Sequence, residues 1–178
     1  VAWITIGGSL VSHASTGRGA SSEPASVLKD PVGRQAGISP AWLDRVARGL
    51  AEREYGASID GSRLQAPNRR HNLRTVFEPS GIRVHDRTAT GSPRLLGLSL
   101  VGLGRGRGLA PVSPGRVVRN GGRVEIERPG IVEWYVNAAS GLEQGFELSA
   151  RPVGSGALVL ELAVEDATAT LAGDRVIL

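Results

Sequence analysis

Apolar residues follow two different periods along this chain, and the change falls near Asp60. Before that point they recur every three to four positions, which is the spacing of one face of a helix. After it they alternate with polar residues over short runs, which is the spacing of a strand with one solvent-facing side. The pattern therefore predicts one amphipathic helix followed by a series of short strands.

The predicted helix has signals at both ends. Ser39 stands at the N-cap and Pro40 at the first helical position, where its missing N–H costs nothing. Gly56 is expected to end the helix in a left-handed conformation. One apolar stripe runs along the helix, and we expect its aromatic residue, Trp42, to anchor the core. The stripe consists of Trp42, Leu43, Val46, Ala47, Leu50 and Ala51.

The predicted strands share an apolar face, and turns rich in Gly, Pro and Asn separate them. Residues 95–103 are apolar on both faces and are expected to form a central strand. The pair Gly173-Asp174 is expected to be a two-residue hairpin turn. The alternating segments are residues 82–87, 123–127, 132–136, 146–149 and 158–164.

About eight or nine short strands at this spacing predict a mainly β fold, an antiparallel β-sandwich or jelly roll with one N-terminal amphipathic helix. Alternation through Val132, Trp134 and Val136 predicts that Trp134 faces the core. Glu133 and Tyr135 would then face solvent. A chain of 178 residues can build such a core without disulfides, and the absence of Cys excludes thiolate metal sites and a cysteine nucleophile.

The first 38 residues differ in composition from the rest. Residues 1–14 are uncharged, mostly apolar and end in small side chains, which is typical of a signal-peptide remnant. The alternative is a first strand at Trp3–Ile6. Residues 15–38 are expected to be a flexible linker, and residues 39–178 to be the helix plus β-sandwich domain, which would continue beyond the last residue. We therefore expect a secreted, extracellular or cell-surface protein without a membrane span.

Arginine supplies almost all of the positive charge, with 20 Arg against a single Lys, and the net charge is +4. Residues 40–130 carry 16 Arg against eight acidic residues, whereas residues 131–178 carry two against seven. Such asymmetry could orient the domain toward a polyanion. No nucleic-acid-binding motif accompanies the charge, so specific nucleic-acid binding is not expected.

Residues that carry chemistry are sparse, and we predict no catalytic residue, no cofactor and no metal site. Glu78, His85 and Asp86 could form an acid–base or metal site only if they converge, and no metal-ligand spacing supports this. The Gly-rich run at residues 102–108 matches no phosphate-binding loop and is expected to be a mobile turn. A surface-binding face is the one candidate, and it comprises Arg83, His85, Arg87, Glu133 and Tyr135.

Four short runs carry a resemblance to a known class of proteins: HNLRTVF at residues 71–77, GIRV at 81–84, EWYVN at 133–137 and GLEQGF at 141–146. They resemble the N-terminal region of large secreted bacterial proteins in which that region precedes FG-GAP repeats, the integrin-alpha-like β-propeller. The similarity covers the chain from about Trp42 onward, and the repeats with their calcium loops lie outside it. The resemblance implies export, an all-β fold and a non-catalytic accessory role, and it supplies no ligand.

The expected function is a non-enzymatic accessory or presentation domain of a larger secreted or cell-surface protein. Its partner would be the rest of that envelope protein, with a β-propeller as the candidate. The alternative is a carbohydrate- or polymer-binding β-sandwich module of an exported enzyme, which would require a row of exposed aromatic residues on one sheet. A hydrolase would require Glu78, His85 or Asp86 in one cleft.

Overall fold

The computed structural model describes the backbone of Trp3–Ile6 together with residues 39–173 and 175–178. Strand β1 is Trp3–Ile6 and helix α1 is Pro40–Tyr55. The strands that follow are β2 (Ser58–Asp60), β3 (Arg63–Asn68), β4 (Leu73–Glu78), β5 (Gly81–Asp86), β6 (Arg94–Arg105), β7 (Gly108–Pro111), β8 (Arg116–Asn120), β9 (Arg123–Arg128), β10 (Ile131–Ala138), β11 (Gly141–Leu148), β12 (Leu158–Glu165), β13 (Thr170–Ala172) and β14 (Arg175–Ile177).

Two antiparallel sheets account for most of these strands, so the predicted mainly β, sandwich-like fold with one helix is confirmed for the described residues. The larger sheet has the order β12-β6-β5-β4-β3-β2, and β7 pairs with the C-terminal part of β6. The smaller sheet has the order β1-β11-β10-β9-β8. Strands β13 and β14 form a separate hairpin, as the Gly173-Asp174 turn predicted.

The core lies between the two sheets, where apolar side chains from both inner faces meet. Ile82 and Leu98 come from the larger sheet, and Ile126 comes from the smaller one. The rings of Phe77 on β4 and Tyr135 on β10 lie 5.5 Å apart, so an aromatic contact joins the sheets. Strand β6 is central in its sheet, as its apolar sequence predicted, because β12 flanks one side and β5 and β7 share the other.

Helix α1 begins as predicted, with the Ser39 hydroxyl accepting the Trp42 N–H at 3.2 Å and Pro40 at the first helical position. Two other expectations about the helix are wrong. Gly56 ends it at a φ of −64°, so no left-handed conformation is needed; a Cβ there would lie 2.3 Å from the Glu52 carbonyl oxygen, and this close approach requires glycine. Trp42 is 48% exposed and does not anchor the core.

At the N-terminus, Trp3–Ile6 pairs antiparallel with β11 and adds an edge strand to the smaller sheet. This pairing agrees with the alternative prediction for this segment, a first strand at Trp3–Ile6. The remaining residues of the 1–14 segment, and the linker predicted at 15–38, lie outside the described residues.

Several segments are more regular than the sequence predicted. The Gly-rich run at 102–108 was expected to be a mobile turn, but residues up to Arg105 belong to β6 and Gly108 begins β7, so only two residues make the turn. Strands β2, β3, β4 and β8 were also missed. Of these, β2 and β8 are short and lie at sheet edges, where the burial pattern that produces alternation is weak.

The predicted orientation of β10 is wrong, because Tyr135 and Glu133 face the core and are 1% and 0% exposed. Trp134 is buried, as expected, but on the outer face of the smaller sheet. There its ring lies against Gly145 of β11, and the Arg123 guanidinium stacks 5.6 Å from the ring centre. Val132 and Val136 share this outer face, so β10 presents apolar residues on both sides.

The packing of Trp134 on Gly145 predicts a large effect from one methyl group. A Cβ at Gly145 would lie 2.2 Å from Cζ2 of Trp134, so Gly145→Ala must displace a buried ring. We expect it to lower the free energy of unfolding by about 1–3 kcal/mol in urea denaturation.

Gly49 is the matched control because a Cβ there meets nothing within 4 Å and the residue is helical. Gly49→Ala should be neutral or stabilising by up to about 1 kcal/mol. Equal effects of the two substitutions would contradict the described position of Trp134.

Candidate functional site

The densest polar chemistry of the molecule lies inside the sandwich. Arg128 of β9, Glu133 and Tyr135 of β10, and Gln144 of β11 form what we call the buried polar network. All four residues are buried, and Glu133 and Gln144 have no exposed surface. A hairpin brings Arg128 and Glu133 together, and the β10–β11 register places Gln144 opposite Tyr135.

Glu133 is the centre of this network. Its Oε2 accepts a hydrogen bond from Arg128 Nη1 at 2.6 Å. Its Oε1 accepts from Gln144 Nε2 at 2.7 Å and from the Tyr135 hydroxyl. Gln144 Nε2 also donates to the Tyr135 hydroxyl oxygen at 3.0 Å. The carboxylate therefore has a cation and two further donors, the set that a charge needs when it is removed from water.

The same arginine connects the two sheets. Arg128 Nη2 donates to the carbonyl oxygens of Ser80 at 3.1 Å and Pro79 at 3.3 Å, in the turn between β4 and β5. The Gly115 N–H donates to Pro79 as well, at 2.8 Å. One guanidinium thus holds Glu133 on the smaller sheet and a turn of the larger one, which fixes how the sheets face each other.

Tyr135 has a perturbed acidity as a result. Burial raises the pKa of its hydroxyl well above the ordinary value, and the neighbouring Glu133 carboxylate raises it further by its charge and by accepting a hydrogen bond from the hydroxyl. The tyrosine therefore stays neutral and acts as a hydrogen-bond donor. Because the network is closed to solvent, its ion pair and hydrogen bonds stabilise the fold.

A second polar contact joins the sheets near the end of α1. Asn68 Nδ2 on β3 donates to Asn137 Oδ1 and to the Ala138 carbonyl oxygen on β10, both at 2.8 Å. Asn137 Nδ2 in turn donates to the carbonyl oxygens of Tyr55 at 2.9 Å and Pro67 at 2.7 Å. This asparagine pair fastens the last residue of the helix to both sheets.

The five residues of the predicted surface-binding face do not share a surface. Arg83 and His85 lie on the outer face of β5, where Arg83 approaches Glu165 at 3.5 Å and Glu78 at 3.7 Å. His85 Nδ1 donates to the Ser92 carbonyl oxygen at 3.0 Å, and Arg87 follows β5. Glu133 and Tyr135 belong to the buried polar network, so placing them on a binding surface was wrong, for the same reason that the β10 orientation was wrong.

The three residues of the alternative hydrolase site are held apart. His85 pairs with Arg74, four residues before Glu78 on β4, which separates His85 from Glu78 by about 13 Å along the strand. Asp86 points to the other side of β5 and caps a turn: its Oδ1 accepts from the Thr88 N–H and hydroxyl at 2.8 Å and from the Ala89 N–H at 3.0 Å. These bonds, led by the Thr88 N–H, lower the pKa of Asp86. Among the described residues, no three His, Asp or Glu side chains gather as a metal site.

One open groove crosses the outer face of the larger sheet. Val76 forms its floor, and Arg63, Gln65, Arg74 and His85 line its sides. The lining holds two arginines, Arg63 and Arg74, against one acidic residue, Asp60, which accepts a hydrogen bond from Gln65. The groove is therefore polar and carries a small positive charge.

A second concavity, which we call the open-side cleft, lies between β2–β3 of the larger sheet and β8 of the smaller one. Leu64, Phe77 and Val117 form an apolar floor. Its rim consists of Ile59, Arg63, Arg116 and Arg119. The Gly115–Pro79 hydrogen bond closes one end, and an ion pair of 2.6 Å between Arg119 and Glu52 of α1 lies at the other.

Sequence reasoning missed both the buried polar network and the open-side cleft. Arg128 and Gln144 stand among other polar residues, and nothing in their local pattern marks them as buried. One signal was available: Glu133 and Tyr135 stand two residues apart in a strand, so they must share a face, and a shared face opposite Trp134 could have been tested as the inner one.

The raised pKa of Tyr135 predicts a specific loss of stability in alkali. An unfolded tyrosine ionises near pH ~10, whereas folded Tyr135 keeps its proton to higher pH. Its contribution is therefore fully present below about pH 10 and is lost as the pH rises from there toward the folded pKa. The urea midpoint should fall above about pH 10, and Tyr135→Phe should flatten that fall. Tyr55→Phe is the control, because Tyr55 is outside the network; an unchanged alkaline slope in Tyr135→Phe would contradict this placement.

No protein-family model matches the chain, and no curated protein or solved structure shows significant similarity to it. Among the described residues, no helix is long and apolar enough to cross a membrane.

Proposed function

We propose that this chain is a non-enzymatic accessory or presentation domain of a larger secreted or cell-surface protein. The observation that carries the proposal is the enclosure of the buried polar network. The carboxyl group of Glu133, the hydroxyl of Tyr135 and the guanidinium of Arg128 would be candidate catalytic groups if they lined a cleft, but they have essentially no solvent contact. Their bonds connect strands and sheets, which is the role of a scaffold.

Exposed apolar surface supports the packing role. Helix α1 has no buried residue, and Trp42, Leu43 and Leu50 are each about half exposed. On the C-terminal hairpin, Leu171 and Val176 are more exposed still. Apolar side chains of this size on a folded domain are typical of surfaces that a neighbouring domain covers.

The resemblance of four sequence runs to secreted FG-GAP-repeat proteins suggests which neighbour this is. The proposed partner is the rest of a larger envelope protein, with a β-propeller as the candidate, and export follows from the same resemblance. The structure gives these runs a physical explanation: in EWYVN and GLEQGF, Asn137 and Tyr135 contact the larger sheet, whereas Glu133 and Gln144 hold the buried polar network together within the smaller sheet. They are signatures of a fold and not of a ligand.

A carbohydrate- or polymer-binding module is the second candidate, and the groove on the larger sheet favours it. Arg63, Arg74 and His85 line this groove together with Gln65, so it offers donors to an acidic sugar. Among the described residues, neither sheet carries a row of exposed aromatic side chains, since Phe77, Trp134, Tyr135 and Phe146 are buried and the exposed Trp42 lies on α1. Carbohydrate or polymer binding is therefore the second candidate, after the accessory function.

Two assays separate these functions. For the accessory domain we expect no turnover of chromogenic esters, phosphate esters or glycosides, in the parent chain or in His85→Ala. Turnover that His85→Ala or Asp86→Asn abolishes would contradict the proposal.

Titration of heparin, with neutral dextran as the control polymer, tests the second candidate. We expect any heparin binding to fall steeply between about 50 and 200 mM salt and to be similar in Arg74→Ala and in the control Arg151→Ala. Tight binding at the higher salt that only Arg74→Ala weakens would establish the groove as a polymer site and overturn the accessory reading.

A further inference from the structure

The open-side cleft has a feature that the groove on the larger sheet lacks, namely a free strand edge. Among the described residues, strand β8 pairs with β9 on one side and with no strand on the other. The β8–β9 hairpin closes at Asn120 and Arg123 around Gly121-Gly122. Hydrogen-bonded and non-hydrogen-bonded pairs alternate along an antiparallel ladder, so Val118 is paired like Asn120, while the backbone groups of Val117 and Arg119 face the open edge.

We propose that the open-side cleft binds an extended peptide of alternating apolar and acidic residues, which adds to the smaller sheet along the edge of β8. This proposal rests on the accessory function, since it names the chemistry by which the domain would hold a segment of a protein partner. In this mode the main chain supplies hydrogen bonds and alternate side chains supply specificity.

The apolar residues of the proposed peptide are inferred from the side chains at the cleft floor. A strand added beside β8 would turn every second side chain toward Leu64, Phe77 and Val117, which are core residues of both sheets. Ile59 stands at the opposite rim with 77% of its surface exposed, and such a peptide would cover it. Burial of these groups would favour binding by the ordinary hydrophobic effect.

The acidic residues of the proposed peptide are inferred from the arginines at the cleft rim. Three arginines, Arg63, Arg116 and Arg119, line the cleft against one acidic residue, Glu78, which faces Arg83. Arg119 shares the inward face of β8 with Val117 and already pairs with Glu52, so the charge left for a peptide is that of Arg63 and Arg116. Arg63 forms no ion pair with any described residue, and the Arg116 side chain is 74% exposed despite its contact with Glu127. Acidic side chains on the outward positions of the peptide would complement this charge.

The two closed ends of the open-side cleft limit the length of the peptide that can bind. The Gly115–Pro79 hydrogen bond and the Arg119–Glu52 ion pair bound the stretch of β8 that is free to pair, so a short strand fits. A polysaccharide lacks the regularly spaced main-chain N–H and C=O groups that match the free edge of β8, and a nucleic acid has no alternating apolar side chains for the floor. The cleft therefore favours a peptide over either polymer.

The test uses the whole chain and a labelled, blocked peptide of about seven residues in which valine and glutamate alternate. Fluorescence anisotropy measures the Kd. Two further peptides serve as controls: one with lysine in place of glutamate, and one with proline at alternate positions, which cannot pair as a strand. We expect saturable binding of the first peptide and at least about tenfold weaker binding of both controls.

Substitutions at the rim locate the site. Arg63→Glu and Ile59→Ser change exposed side chains, so neither should affect folding, and each should weaken binding by about three- to tenfold. The matched controls are Arg151→Glu and Leu171→Ser, which are also exposed but lie outside the cleft. Thermal unfolding of all four variants confirms that the fold is intact.

Amide hydrogen exchange followed by NMR identifies the binding mode. On peptide addition, the amides of Val117 and Arg119 should become protected, whereas that of Val118 is already bonded to β9 and should change little. Absence of binding, binding that the rim variants leave unchanged, or protection elsewhere would each overturn the peptide site. None of these results involves enzymatic turnover, so failure of the peptide site and failure of the accessory function are distinguishable.

Discussion

The carboxylate of Glu133 and the guanidinium of Arg128 meet between two sheets, 2.6 Å apart and closed to water. Two charges in such a place are stable only with good geometry and a full set of hydrogen bonds. Tyr135 and Gln144 donate two further hydrogen bonds to the carboxylate, and the carbonyl oxygens of Pro79 and Ser80 accept from the arginine, whose buried Nε alone has no partner among the described residues. The orientation of β10, the β10–β11 register and the approach of the sheets all follow from satisfying this pair.

The position of these charges also limits what the domain can do. Its strongest donors and acceptors are used internally, and its outer arginines are partly neutralised by nearby carboxylates, as in the contacts of Arg83 and Arg94. What remains for recognition is shape, apolar surface and unpaired backbone. These features are concentrated on the face of α1 and in the open-side cleft, the two surfaces on which the proposed packing role and the proposed peptide site depend.

The fold could be predicted from the sequence because its class depends on local signals. The period-two runs, the turn residues and the Ser39-Pro40 helix start each act over a few residues. The orientation of β10 could not be predicted in the same way, because Val132, Trp134 and Val136 gave the outer face a stronger apolar signal than the inner one. The inner face holds Glu133 only because Arg128 and Gln144 reach it from other strands. The open-side cleft could not be predicted either, because the two sheet edges that form it are far apart in the chain.

A double-mutant cycle on Arg128 and Glu133 tests the central role of this pair most directly. Arg128→Met and Glu133→Leu should each lower the free energy of unfolding by about 3–5 kcal/mol, because each leaves the opposite charge buried and uncompensated. The double variant removes both charges, so it should be more stable than the sum of the single effects predicts, by at least about 2 kcal/mol in urea denaturation. Single effects that add to within about 0.5 kcal/mol would show that the two groups do not interact, and would contradict this account.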